Sequence, residues 1–289
     1  MNQQKIGIGG WILIGVMLVY VGFLIAGPII ALISGAFQNG LIPVINSLTS
    51  PVFLQALLLT MRIALLVVII QLVFGTMIAW MLVRHEFTGK SLLNGLIDVP
   101  FTISSVVVGY MLLLLFGRNS ILFPVLERMN LRIAFATPGL FLATLFVCFP
   151  FMIREMIPVI ENLDQHQEFA AATLGANQWT RFWRIIFPQL KSGLIYGMTL
   201  TLARAIGEFG AVLVVGGGIQ GRTETATLFI FRSMEERRFI EAYSAALLLG
   251  VFSVVIVLIA DWLKRAHENK RTMVSLDDFN QPLNTGLNE

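Results

Sequence analysis

Long uncharged apolar runs dominate the chain. No side chain from Ile6 to Met61 is charged, and uncharged stretches recur at Ile63 to Val83, Val99 to Gly117, Ile133 to Ile153 and Ala242 to Ala260. Each later stretch is near the roughly 20 residues that a helix needs to cross a bilayer. The pattern predicts six spans, at about Trp11 to Ser34, Phe53 to Val83, Val99 to Phe116, Pro138 to Ile160, Ser192 to Val215 and Ala242 to Leu263. The turn-forming cluster Gly35-Ala36-Phe37-Gln38-Asn39-Gly40 splits the first run, and Ser50-Pro51 starts the second span. Arg62 falls one or two turns inside that second span, where a guanidinium either snorkels or faces the bundle interior. An even number of spans puts both termini on one side.

Composition agrees with the pattern: 56% of the residues are hydrophobic and 13% are charged, about half the charged share of a soluble domain. The fold class is therefore an all-α polytopic membrane protein whose partner is lipid. Its net charge of +3 is small and the basic residues form no continuous stripe, which argues against nucleic acid. Lys5 precedes an apolar stretch too long for a signal-peptide core, so the first span is read as uncleaved. With the N-terminus inside, the inner basic residues are Lys5, Arg84, Lys90, Arg181, Arg184, Lys191, Lys264, Arg265, Lys270 and Arg271. The outer ones are Arg118, Arg128, Arg132, Arg222, Arg232, Arg237 and Arg238, so ten against seven favours cytoplasmic termini. Cys148, the lone cysteine, excludes an intrachain disulfide. The polar stretch from about His267 to Glu289 is expected to be poorly ordered.

Between the fourth and fifth spans, the polar segment 161–190 reads as two short helices joined by a turn. Asp164 with Gln167 resembles a capping box, Gly175 suits a left-handed C-terminal cap, Asn177 caps the second helix and Pro188 ends it. Trp179, Phe182, Trp183 and Ile186 recur at helical spacing as an apolar face, with Arg181 and Arg184 pointing elsewhere. Ala170, Ala171, Ala172 and Ala176 offer a smooth surface that another backbone can approach. Such a segment is a docking knob in a loop.

This segment resembles the "EAA" loop of binding-protein-dependent ABC importer permeases, in which Glu-Ala-Ala is followed by three residues, Gly and a run ending near Pro. Ala170, Ala171, Gly175 and Pro188 match, whereas the family's Glu position falls on Phe169 and Glu168 stands one residue early, a displacement of about 100° on a helix. A second resemblance, to sulfate and molybdate permeases, rests on Ala203-Arg204-Ala205-Ile206-Gly207-Glu208-Phe209-Gly210-Ala211 and Gly218-Ile219-Gln220-Gly221-Arg222-Thr223-Glu224-Thr225. Asp98-Val99-Pro100-Phe101, Phe149-Pro150-Phe151 and Arg154-Glu155 add to it. Together these are most similar to the CysW-type permease subunits of sulfate/thiosulfate importers, over about residues 50–265.

The resemblance implies a type I ABC importer permease fold, with residues 1–50 an N-terminal helix and outer loop, 51–265 the permease domain and 266–289 a polar cytoplasmic tail. It also implies an inner-membrane complex with a distinct CysT-like permease, two copies of a CysA-like ATPase and a periplasmic sulfate-binding protein. ATP and Mg would bind the partner ATPase, with no cofactor or catalytic site in this chain. Glu168, Phe169, Ala170, Ala171, Gly175, Ala176 and Pro188 would form the ATPase-coupling loop. Molybdate or tungstate is the alternative cargo. A secondary carrier or channel, the reading from another class, predicts internal repeats with broken substrate-binding helices, and no such repeat is found.

Arg204 and Glu208 stand at i and i+4 within the fifth span, spaced to neutralise each other. They either line or gate an anion path or fix helix packing; Gly207 and Gly210, with Ala203 and Ala211, favour close helix approach in both cases. Gly216-Gly217-Gly218-Ile219-Gln220-Gly221-Arg222-Thr223 nearly spells a phosphate-binding loop, but Arg222 replaces the required Lys and a membrane span precedes it. His85, His166 and His267 have no metal-ligand spacing. The segment Met234-Glu235-Glu236-Arg237-Arg238 reads as a solvated, mixed-charge face outside the membrane.

Overall fold

A computed structural model describes the backbone of residues 8–280, and the side chains of 9–259, 261 and 262. All regular structure among these residues is helical. Three helices open the chain: α1 (Ile8–Phe37), α2 (Leu41–Leu48) and α3 (Pro51–Ile70). A π-helical turn at Gln71–Gly75 joins α3 to α4 (Thr76–Arg84), so that the second span is one rod from Pro51 to Arg84. Ser50 caps it by accepting from Phe53 N at 3.3 Å, with Pro51 in the first turn where its missing N–H costs nothing. In the π turn, the buried Gln71 donates from Nε2 to the Leu145 carbonyl at 3.4 Å.

The third predicted span is not one helix. α5 (Lys90–Thr102) and α6 (Ser105–Phe116) meet at 109°, with Ile103 extended between them. Apolarity alone merged them, because the break falls between uncharged residues. After the short α7 (Phe123–Arg128) comes α8 (Thr137–Glu161), as expected. Next are α9 (Gln165–Thr173), α10 (Gln178–Arg181), a second π turn at Phe182–Ile186, and α11 (Phe187–Ile206). Gly207, Glu208 and Phe209 then interrupt the fifth span before α12 (Gly210–Gly216), a bend of 53°. α13 (Ala226–Glu235) and α14 (Phe239–Asn280) finish the fold. The segment expected to be poorly ordered is helical up to Asn280; Lys5 and residues 281–289 lie outside the described residues.

α8 is the mast of the bundle. Leu140, Ala143, Val147 and Cys148 join Phe53, Ala64, Ile206, Val212 and Phe229 in one core cluster. Met152, Ile153, Met156 and Ile160 join Ala79, Leu82, Ile97 and Leu190 in a second. The spacing of three and four along α8 keeps these side chains on inward faces. α1 by contrast exposes nearly its whole apolar surface, as a lipid- or subunit-facing helix does. It touches α14 where a Cβ on Gly35 would stand 2.6 Å from the Tyr243 ring. That contact sets the end of α1 beside the start of α14. The first end of α1 therefore lies with the distal part of α14, at the pole where α4 ends.

Candidate functional site

Two features predicted from the sequence occupy opposite parts of the bundle. At the pole where α4 ends, α9 and α10 form the polar knob. Asp164 Oδ1 accepts from His166 N at 2.9 Å, an Asx turn rather than the expected capping box. Gln167 instead accepts from Gln189 Nε2 at 3.3 Å and so ties α9 to α11. Gly175 has φ +82° and closes a Schellman motif, with its N–H on Ala172 O and the Ala176 N–H on Ala171 O, both at 3.0 Å. Asn177 Oδ1 caps α10 through Thr180 N at 2.7 Å.

Pro188 does not end the helix. It sits in the first turn of α11, immediately after the π turn, within a run that is helical from Gln178 to Ile206. The wider turn closes through Phe187 N onto Phe182 O. It supplies the extra residue that lets proline enter without its ring striking the preceding turn.

Of the apolar face predicted for the second helix, Trp179 and Trp183 are exposed, whereas Ile186 is buried. The rings of Trp179 and Trp183 meet edge to face at 5.6 Å, and Trp183 packs against the Phe187 ring at a tilt, 4.9 Å away. Phe169, Leu174 (88% exposed) and Trp179 (70% exposed) leave an apolar surface on a polar loop, the signature of a protein contact. Ala170, Ala172 and Gly175 are also open, and Ala171 and Ala176 partly so.

Glu168, displaced from the family position, points back into the bundle. Its Oε2 lies 3.4 Å from Arg84 NH2, and Arg84 stands over the Trp80 ring at 5.0 Å. Spacing rules could not foresee this pair, since 84 residues separate its members. Beside it, a cavity of about 1120 Å³ opens between α4 and α11, with Trp80, Leu194 and Met198 on its walls and His85, Arg181 and Lys191 at its edge.

The second feature is the break between α11 and α12. Arg204 NH1 lies 2.8 Å from Glu208 Oε2, as the spacing predicted. The Glu208 side chain is 1% exposed and that of Arg204 31%. Glu208 Oε1 accepts from Ala211 N at 2.9 Å, at the start of α12, while Oε2 has the ion pair but no aligned hydrogen bond. Thr227 Oγ1 donates to the Glu208 carbonyl at 2.7 Å, binding the break to α13. Glycine lets α6 reach the break: a Cβ on Gly109 would stand 2.7 Å from Ala211 O, and one on Gly210 would overlap Ser105 Oγ. The two interrupted spans thus dock on each other.

Two polar clusters complete the arrangement. Arg154 Nε and NH2 hold Asp98 at 2.7 and 2.6 Å, while NH1 and NH2 reach Asn94 at 2.8 and 2.9 Å. Phe101 and Phe151 meet edge to face at 5.2 Å, so the motifs around Asp98 and Phe149 form one α5–α8 clamp. At the other pole, Arg232 holds the buried Glu224 at 2.5 and 3.1 Å. Hydrogen bonding to Glu224 raises the Arg232 pKa further, against the desolvation that lowers it. Arg238 extends the chain of charges to Glu236 and Glu241, both at 2.6 Å. Against a desolvation that raises it, hydrogen bonds from Arg238 and Arg232 hold the exposed Glu236 carboxyl below its ordinary value. The mixed-charge segment is thus wired to the core as well as solvated.

The Gly-rich near-motif closes on itself. Thr223 Oγ1 donates to Gly216 O at 2.7 Å and accepts from Ile219 N at 3.0 Å, occupying a backbone donor that a phosphate would need.

Residues 71–273 match the family model described as "Binding-protein-dependent transport system inner membrane component". The chain is 44% identical over 247 residues to "Sulfate transport system permease protein CysW" of Synechococcus elongatus, covering 86% of each. With "Sulfate permease 2, chloroplastic" of Chlamydomonas reinhardtii it shares 43% over 262 residues, 90% of this chain and 71% of that one. A chain of the bacterial alginate ABC transporter, solved with an alginate-bound periplasmic protein, superposes with a TM-score of 0.68 at 19% identity, over 89% of this chain and 94% of that one. At that identity the likeness is one of fold alone.

Proposed function

Because the chain belongs to the family of binding-protein-dependent transport system inner membrane components, we propose that it is a permease subunit of an ATP-driven importer that moves sulfate or thiosulfate by alternating access. The observation that carries the reading is the exposed apolar knob of Phe169, Leu174 and Trp179, joined to the bundle through Arg84 and Glu168. A surface of that kind takes force from another protein and passes it to a span. The cargo is inferred from the sulfate permeases named above, and molybdate has no such support.

In this proposal, the loop of Glu168, Phe169, Ala170, Ala171, Gly175, Ala176 and Pro188 docks on a CysA-like ATPase, present in two copies, where ATP and Mg bind. A CysT-like permease completes the path, and a periplasmic protein delivers the anion. The chain sits in the plasma membrane with both termini cytoplasmic. In support, the first end of α1 and the distal part of α14 share the pole of the knob, and the basic residues favour that side. Residues 51–265 form the permease domain, preceded by the helix and outer loop of 1–50 and followed by the tail of 266–289. Arg204 and Glu208 gate the path at the break between α11 and α12, where local repacking changes the direction of a helix end without unfolding a span.

The test is uptake of labelled sulfate, with molybdate as competitor, in cells deleted for this gene and lacking redundant importers. Wild-type complementation restores uptake insensitive to molybdate, whereas Arg204→Ala and Glu208→Ala each lower it by about tenfold or more at equal expression. Intact uptake after deletion refutes the cargo; normal uptake in both variants removes the pair from the mechanism.

A further inference from the structure

At the pole opposite the knob, α3, the start of α8 and the loop after α12 line an open recess of about 250 Å³ whose polar walls are the exposed Gln55, Arg62, Thr137, Gly221 and Arg222 and the buried Glu224. We propose that this recess binds a tetrahedral oxyanion between Arg62 and Arg222, as an outer station for the transported ion; this rests on the sulfate-importer reading.

The argument starts from charge. Arg62 lies 11 residues beyond Pro51, roughly 16 Å along the rod. A guanidinium at such depth calls for a partner or a watery path. Arg84, Arg154, Arg204 and Arg232 each have a carboxylate, but among the described residues neither Arg62 nor Arg222 has an ion pair. Glu224, the one acid of the lining, already holds Arg232 through both oxygens and is 2% exposed. Its charge is therefore spent within the wall, and the recess keeps two uncompensated cations.

The remaining chemistry fits the same ligand. Guanidinium forks match tetrahedral oxyanions, and the Gln55 amide and Thr137 hydroxyl add neutral donors. The volume is several times the roughly 30 Å³ share of one water, enough for an oxyanion with part of its hydration shell. Backbone geometry brings Arg222 to the site. Gly221 has φ +72°, and a Cβ there would stand 3.6 Å from Gln55 Oε1. The near-phosphate motif thus contributes to anion binding through the side chain of Arg222, while its backbone donor at Ile219 is occupied by Thr223. In the proposed orientation the pocket faces the periplasmic protein, and its positive potential draws in a released anion ahead of Arg204 and Glu208.

A phospholipid headgroup offers the same phosphoryl chemistry as free sulfate, so the test separates the two. Labelled-sulfate binding is measured on the purified permease–ATPase complex, without the periplasmic protein, in nanodiscs and in phospholipid-free maltoside micelles. Saturable binding is expected in both media. Arg62→Gln and Arg222→Gln should each weaken it by about tenfold, Arg62→Lys by less, with ATPase subunits still co-purifying. Absent binding in wild type, or unchanged affinity in both Gln variants, overturns the proposal. Phospholipid that co-purifies with wild type and is lost from the Gln variants, with sulfate affinity in micelles unaltered, assigns the pocket to headgroups and overturns it too. Uptake by wild-type proteoliposomes supplied with the periplasmic protein is the separate control: its failure refutes the sulfate cargo, whereas normal uptake with unchanged variants refutes only the pocket.

Discussion

Gly175 is constrained by backbone conformation and not by space. Its φ is +82°, yet nothing lies within 4 Å of where a Cβ would stand. A β-branched residue there pays the left-handed penalty of about 1–2 kcal/mol, while asparagine tolerates the conformation. Gly175→Val should therefore cut ATPase co-purification several-fold, and Gly175→Asn should preserve most of it, as read by subunit stoichiometry after affinity capture. Equal loss in both would mean that the glycine is needed for close approach of the partner. Glu168 shows a different limit of residue-level inference. Its displacement from the family position was visible in the sequence, but its turn inward to Arg84 depends on where α4 ends.

At the scale of elements, the interrupted spans are the features that hydropathy could not resolve. α5 and α6 look like parts of one apolar run because their break falls between uncharged residues, and the break at Gly207, Glu208 and Phe209 is hidden in the same way by the apolar residues on either side of it. What fixes the breaks is contact. α6 lies against α12 at Gly109 and Gly210, and Arg154 clamps α5 to α8 through Asp98 and Asn94. Gly109→Leu drives a side chain into the Ala211 carbonyl, a backbone atom that moves only with its helix. The expected cost is about 1–3 kcal/mol, measurable as a lowered midpoint of thermal aggregation of the detergent-solubilised complex. An unchanged midpoint would show that α6 and α12 separate freely.

Across the whole molecule, α8 links the two core clusters, and the Arg84–Glu168 pair lies at the join between the knob and the second span. Neither partner is fully buried, so the pair adds little to stability. Its expected role is to transmit displacement. Arg84→Gln should leave ATPase co-purification intact and lower sulfate uptake per ATP hydrolysed, by about threefold to tenfold for a coupling of roughly 1 kcal/mol. That ratio is read in proteoliposomes from uptake and phosphate release together. An unchanged ratio would remove the pair from the coupling route and leave it to the π turn at Phe182–Ile186 and the Gln167–Gln189 tie.

The sequence by itself determined the class of protein, because uncharged runs near bilayer length have no alternative burial, and it determined the local devices whose partners are near in the chain. The Asn177 cap, the left-handed Gly175 and the i, i+4 pair of Arg204 and Glu208 belong to that set. Tertiary structure alone decided where the third and fifth spans break, that Pro188 follows a π turn instead of ending a helix, and that Trp179 stays exposed. It also decided which charges meet across long separations, Arg84 with Glu168 and Arg154 with Asp98, and that Arg62 and Arg222 line one recess. The physical reason is range. Capping and helical periodicity act over a few residues, whereas pairing across a bundle depends on packing that no spacing along the chain encodes.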